Sequence, residues 1–157
     1  MPCPDIPKKP TPSLHCEKGD IHWFLLENPN PNVNSLKARP FIIISRTNYK
    51  SKRVLVSPIQ DLKNYVEEGR IKYPFHVPLL KSDYTFLDKD SIILLDQVYT
   101  IEKSELWQEW YIGKLKDFTA LDNAIIYNFD LYESIKNGIS ELLDQYKDLY
   151  MQNFKRK

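Results

Sequence analysis

Arg39 stands directly before Pro40 at the mouth of an apolar run, Phe41-Ile42-Ile43-Ile44. Proline narrows the backbone conformations open to the residue before it, which fixes that arginine at the start of a strand. The arginine also lies in a window without acids. Between Glu27 and Asp61 there is no Asp or Glu, and there are six basic residues: Lys37, Arg39, Arg46, Lys50, Lys52 and Arg53. The rest of the chain holds 16 of the 22 Lys and Arg against all 21 acids, a net of −5, although the whole is nearly neutral at +1. Positive charge collected on a rigid strand and its flanking turn suits an anionic partner, nucleic acid foremost. Two further features could bear chemistry. His76 could exchange a proton near neutrality, but a lone histidine in a strand is more often structural, and His22 shares that ambiguity. The pair Asp96-Gln97 interrupts an apolar stretch; on a strand its side chains point to opposite faces, so one of them needs partners in or near the core.

Composition removes other chemistries. Four glycines, none in dinucleotide-binding or P-loop spacing, leave no phosphate-cradling loop. Cys3 and Cys16 match no zinc spacing, and His15 beside Cys16 makes a weak pair, so neither metal nor cofactor is expected. No apolar h-region follows Met1 and no run is long enough to cross a bilayer, which predicts a cytoplasmic chain away from membranes. Ten tyrosines supply amphipathic surface suited to interfaces or base stacking, or else pack the core edge.

The elements that must position these residues are short. Residues 1–17 carry prolines at 2, 4, 7, 10 and 12 and read as an extended or disordered arm. Ile21–Leu26 reads as a strand. Glu27–Ala38, with Asn28-Pro29-Asn30-Pro31-Asn32, reads as a long loop and a functional candidate. Phe41–Ser45 reads as a strand buried on both faces. Arg53–Ile59, Tyr73–Leu79 and Ser91–Ile101 read as further strands, and Asp61–Gly69 as a short helix or loop. Several short strands joined by loops predict a small barrel. From Leu115 the apolar positions recur at spacings of three and four, which predicts an amphipathic helix. Asn137-Gly138 is expected to break it, giving a helix packed on the barrel and a second helix with a basic tail over 134–157.

In order along the chain, Lys18-Gly19-Asp20-Ile21-His22-Trp23, Arg39-Pro40-Phe41-Ile42-Ile43-Ile44-Ser45 with Asn48, Val54-Leu55-Val56-Ser57-Pro58-Ile59, Tyr73-Pro74-Phe75-His76-Val77 and Asp96-Gln97-Val98-Tyr99-Thr100-Ile101 resemble the MazF/PemK family of toxins from type II toxin–antitoxin systems, over residues 18–133. The resemblance implies a mainly β fold, a small SH3-like barrel of the CcdB/MazF type with an amphipathic C-terminal helix, acting as a homodimer. It implies an endoribonuclease (mRNA interferase) that cuts single-stranded RNA without metal. The RNA's own 2′-hydroxyl attacks, leaving a 2′,3′-cyclic phosphate, and a cognate antitoxin neutralises the toxin. Arg39 falls on the family's catalytic arginine, where a guanidinium can contact two oxygens of a phosphate gaining charge. Gln60 falls where members often have a threonine or serine hydroxyl on the scissile phosphate, and its amide can still donate. Ser57, on the opposite face by alternation, does not replace it. Asp96 and Gln97 fall on an acidic-Gln pair near the RNA groove, although Asp96 reads equally as a structural acceptor. With Lys37, Arg46, Arg53 and His76 they make up the candidate RNA contacts.

The chain departs from the family at informative places. Members commonly carry Gly-Ser-Glu-Gln before the Arg-Pro pair; here Asn32-Val33-Asn34-Ser35-Leu36-Lys37 has no acid. Tyr99 stands where a basic residue is common. These changes and Gln60 leave a second reading: an RNA- or partner-binding barrel of the same fold with weak or no catalysis. A gyrase-type poison acting through a Trp-Gly-Ile end is disfavoured, because the chain ends Phe154-Lys155-Arg156-Lys157.

Overall fold

The computed structural model describes residues 3–26, 38–47 and 49–155. The long loop before Arg39, Lys37 within it, and Asn48 lie outside the described residues.

Among the described residues, nine strands and two α-helices follow one another along the chain: β1 (Asp20–Leu25), β2 (Ala38–Ile43), β3 (Arg53–Asp61), β4 (Val66–Glu67), β5 (Arg70–Ile71), β6 (His76–Leu79), β7 (Ser91–Leu94), β8 (Tyr99–Glu102), β9 (Tyr111–Lys114), α1 (Thr119–Asn128) and α2 (Tyr132–Lys155). Seven strands form one sheet in the order β6-β7-β3-β2-β1-β9, with β8 also on β3, while β4 and β5 make a separate two-stranded hairpin. All pairings in the large sheet are antiparallel.

The continuous apolar run over Phe41–Ile44 is explained by two cores, one on each face of the sheet. Ile42 and Ile44 pack with Ile21, Ile59, Val77, Ile93, Leu121 and Ala124 on the side covered by α1. Phe41 and Ile43 pack with Phe24, Val54, Val56, Ile101 and Leu106 on the other. Each fully buried aliphatic side chain contributes about 1.5–3 kcal/mol, so a run without polar alternation is what a strand covered on both faces needs.

The N-terminal segment is extended and docked. Ser13 N–H donates to the Leu106 carbonyl (2.8 Å), Gln108 N–H to Thr11 (2.8 Å), and the Trp110 indole N–H to the Asp5 carbonyl (3.1 Å). Gly19 joins this arm to β1 at a φ of +91°, and a Cβ there would meet the Phe118 ring at 2.6 Å, so only glycine fits.

Three expectations are corrected. Ser91–Ile101 is two strands, not one. Between Ile59↔Ile93 and Val56↔Tyr99, three steps along β3 correspond to six along its partner. The extra residues bulge out as a turn that carries Asp96 and Gln97, both exposed, so neither enters the core. Strand β6 begins only at His76, and Tyr73–Phe75 form a turn in which His76 N–H donates to the Tyr73 carbonyl (3.1 Å). The helical break falls at Asp130 rather than at Asn137-Gly138. Asp130 adopts a φ of 53°, with Leu131 N–H bonded to Ile126 and Asp130 N–H to Tyr127. That is the paired-bond helix stop, which satisfies the last carbonyls of α1. Gly138 sits inside α2 with open space around it. α2 runs exposed from Tyr132 to Leu149, with Ile139, Leu142, Tyr146 and Leu149 among its outward apolar residues.

Candidate functional site

Strand β3 is shared between neighbours. It pairs with β2 over Val56–Pro58 and with β7 over Ile59–Asp61. Past Phe41↔Pro58 the β2 pairing stops, so residues 38–40 and 59–61 diverge. The wedge between them is a cleft of about 290 Å³, bordered by Arg39 and Gln60 together with Trp23, Asp61, Leu87 and Lys89. Arg39 is two residues before Phe41 and Gln60 two after Pro58, so alternation gives both the same face and level. Arg39 is exposed, and its guanidinium is held by no ion pair or hydrogen bond to another described residue. An anchored backbone with an uncommitted fork of donors leaves that fork to an external anion.

Asp61, Lys89, Asp88 and Trp23 are not singled out by the sequence as site residues. Asp61 ends the acid-free window immediately after Gln60, which is the only local signal for it. Its carboxylate accepts from Lys89 Nζ at 3.0 Å and lies 3.6 Å from Lys63 Nζ. The hydrogen bond from Lys89 holds its carboxyl below the usual carboxylate range. Asp61 also accepts from Lys63 N–H at 3.2 Å, capping the short helical turn Leu62–Tyr65. Lys89 is placed by Ser91, whose hydroxyl donates to the Lys89 carbonyl at 3.1 Å. The cleft therefore presents two cations, Arg39 and Lys89, and two carboxylates, Asp61 and Asp88, of which Asp61 is already committed to Lys89 and is a weak base; this leaves Arg39 as the donor open to an anion.

The other candidates lie elsewhere. Arg53 opens β3, seven residues from Gln60, or about 23 Å along the strand, and Arg46 is exposed at the opposite end of β2 from Arg39. His76 is buried, with Nε2 3.3 Å from Asp96 Oδ1. Tyr65, Tyr73 and Phe75 present their rings near-perpendicular to it at centroid distances of 5.3, 5.4 and 4.8 Å. Gln97 is exposed beside Asp96. Tyr99 packs edge-on against Phe41 at 6.0 Å, a core contact rather than a cleft residue. His22 is buried behind the arm, where its Nε2 meets Ser13 Oγ at 2.8 Å; burial, then the charge of nearby His15, pulls its pKa down to about 4. Among the described residues no three His, Cys, Asp or Glu side chains gather to hold a metal ion, and no helix is long and apolar enough to cross a membrane.

Residues 17–129 match the family described as PemK-like, MazF-like toxin of type II toxin–antitoxin systems. An endoribonuclease MazF of Staphylococcus epidermidis is 35% identical over 124 residues, covering 74% of this chain and 98% of the relative. The endoribonuclease MazF of Staphylococcus saprophyticus is 35% identical over 117 residues, covering 73% and 92%. Among solved structures, the toxin MazF-mt6 of Mycobacterium tuberculosis aligns with a TM-score of 0.51 and 26% identity, over 71% of this chain and 96% of that one. An endoribonuclease in complex with its cognate antitoxin, from a mycobacterial species, shares the fold at a TM-score of 0.53 and 19% identity, over 73% and 95%.

Proposed function

The chain belongs to the PemK-like, MazF-like toxins of type II toxin–antitoxin systems, and we propose that it is an endoribonuclease that cuts single-stranded RNA at the Arg39 cleft without a metal ion. The observation that carries this reading is an exposed, uncommitted Arg39 level with Gln60 across the wedge where β2 and β3 part. The RNA supplies its own nucleophile. The 2′-oxygen attacks the adjacent phosphorus, the bond to the 5′-oxygen breaks, and the products are a 2′,3′-cyclic phosphate and a 5′-hydroxyl. The proton lost from the 2′-oxygen is balanced by one gained at the leaving oxygen. During the step, charge grows on the non-bridging oxygens. Arg39 contacts two acceptors at once and Gln60 donates one amide N–H. Donors fixed in place before the reaction stabilise that charge at little reorganisation cost.

Asp96 and Gln97, on the turn between β7 and β8, flank the path of the strand, and His76 orients Asp96 from below. Lys37, Arg46 and Arg53 serve as phosphate contacts for longer RNA, Arg46 and Arg53 at the far end of the sheet. The partners are single-stranded RNA, a cognate antitoxin and a second copy of the chain in a homodimer. Membership of a family of toxin–antitoxin toxins supports the antitoxin. The residues divide into an arm (1–17), a barrel with its packed helix (18–133) and a C-terminal helical extension (134–157) that enlarges the surface for one of these protein partners. The protein acts in the cytoplasm.

The test is to incubate purified protein with mixed single-stranded RNA in excess chelator and to map the ends. Site-specific cuts ending in cyclic phosphates, lost in Arg39→Ala, are expected. RNA binding without cuts defeats the nuclease reading and favours the non-catalytic binder.

A further inference from the structure

Beside His76 the structure holds an aromatic arrangement that core packing does not account for. Tyr73 and Phe75 lie nearly parallel, with ring centroids 5.1 Å apart and planes at 7°. Tyr73 is 50% exposed. Parallel, laterally offset rings cover part of Tyr73 against Phe75, and half of the Tyr73 surface remains open to solvent. Both rings are locked from beneath, because each meets the buried His76 ring nearly at right angles. His76 in turn is tied to Asp96, an exposed carboxylate at the rim of the same cluster. The result is a rigid aromatic step with an acceptor-only group at its edge.

The sheet register fixes where this step lies. Gln60 pairs with Ile92, Ile92 pairs with Pro78, and His76 is two residues along β6 from Pro78. By alternation Gln60, Pro78 and His76 share one face. Two strand spacings and two residue steps put His76 about 12 Å from Gln60, a few nucleotides along a strand whose phosphate sits in the cleft.

Resting on the nuclease reading above, we propose that Tyr73, backed by Phe75, is a stacking platform for one unpaired base of the RNA, and that Asp96 selects a base with an exocyclic amino group. Every base has a π-face, so stacking alone is tolerant of sequence and is worth about 1–3 kcal/mol per base. Selection comes from the edge. A carboxylate only accepts hydrogen bonds, and His76 occupies one of its oxygens. The free oxygen is matched by the exocyclic amino group of cytosine, adenine or guanine; uracil has none and offers only its ring N3–H, set between two carbonyl oxygens that repel a carboxylate.

The experiment uses the full chain and short single-stranded RNAs made non-cleavable by 2′-O-methylation: oligoadenylate, oligocytidylate and oligouridylate, with binding read by fluorescence anisotropy. Tyr73→Ala is expected to weaken binding of the adenylate and cytidylate oligomers roughly 5- to 100-fold, while Tyr73→Phe, which keeps the ring, stays close to wild type. Asp96→Asn is expected to erase the preference over oligouridylate. Wild-type binding that is unchanged in Tyr73→Ala overturns the platform and leaves the nuclease reading standing. Equal loss in Tyr73→Ala and Tyr73→Phe overturns it too, since a stacking role survives removal of the hydroxyl alone. A wild-type protein that neither binds these oligomers nor cuts RNA overturns both readings.

Discussion

Two polar clusters sit at different places on the same sheet, and they use similar residues in opposite ways. In the cleft between β2 and β3, Arg39 and Lys89 face solvent, and Asp61 is kept ionised by Lys89. Behind the N-terminal arm, Asp20 and His22 are buried. There, burial raises the Asp20 carboxyl above its usual range and lowers His22 to about 4. Both shifts favour the neutral form, as desolvation requires. Charge is thus kept at the open cleft and disfavoured where the fold is closed. A histidine within an apparent β-strand motif therefore says little by itself. What separates a site from a support is whether the side chain keeps its charge at a surface.

The largest effect should come from Arg39→Lys. The positive charge remains, but lysine is a compact point charge without the planar fork. If Arg39 works by bidentate contact to a phosphate gaining charge, RNA cleavage falls roughly 10²- to 10³-fold, the range for loss of one pre-placed donor. The urea midpoint should stay where it was, because substituting an exposed side chain with no partner among the described residues changes stability by about 0.5 kcal/mol or less. An Arg39→Lys protein as active as wild type would show that only net charge matters in the cleft, and the contrast with the arm cluster would lose its chemical side.

Acid should act on the other cluster first. His22 binds its proton more weakly in the folded chain, at about 4 against 6.5 when free. Its contribution is complete above the unfolded value and is lost as pH falls from 6.5 towards 4, because the unfolded chain takes up a proton that the folded chain refuses. A shift of that size corresponds to roughly 3 kcal/mol. Asp20 acts in the opposite sense: with its folded pKa raised, it relieves an unfavourable burial as it gains a proton, so it adds no loss of stability on acidification. Asp61, Glu109 and Asp117 are lowered by Lys89, by Thr11 and by the Thr119 amide, and they lose stability only below their unfolded values of 3.8 to 4.5. A fall in stability between 6.5 and about 5 therefore belongs to His22. Urea unfolding across that interval should show falling stability in the wild type and no fall in His22→Gln. Equal slopes in the two proteins would remove His22 from the account.

How much of this can be read in advance depends on the range of the forces involved. Strands β1, β2 and β3 are legible because alternation and apolar runs are local. Arg39 is legible because Pro40 and the surrounding charge window single it out. Its partnership with Gln60 requires the register of two strands, and the contribution of Lys89 requires a contact between residues 28 positions apart. The turn at Asp96-Gln97 reads as strand because the neighbouring apolar residues are buried on both sides of it, and only the register jump against β3 reveals the bulge. Intrinsic propensity places the helix stop at Gly138. The chain ends α1 at Asp130 instead, where paired backbone hydrogen bonds close the helix, while an exposed glycine inside α2 costs only about 1 kcal/mol. His22 and His76 both read as ambiguous, and no sequence pattern separates them. One is covered by an arm that bonds to it from nine residues upstream, and the other touches a carboxylate 20 residues away.

The smallest effect tests the seal itself. Ser13 Oγ meets His22 Nε2 and accepts from His15 N–H, at 2.8 and 3.1 Å. Ser13→Ala removes both contacts, together with the hydroxyl's hydrogen bond to Gln108 Oε1 at 3.4 Å, and leaves His22 with neither ring nitrogen bonded to a described residue, since Nδ1 already lacks such a partner. A buried polar atom left unpaired costs about 1–3 kcal/mol. The low end, about 1 kcal/mol, is expected here, because the arm lies at the surface and can open locally to admit water. Hydrogen exchange at the Ser13 and Gln108 amides, which bond to Leu106 and Thr11 across the arm, should quicken accordingly. RNA cleavage should match wild type, because no residue of the cleft touches the arm cluster through Ser13. A Ser13→Ala protein that keeps its stability but cuts RNA poorly would instead join the two clusters into one functional unit, and the division drawn between charge kept and charge suppressed would fail.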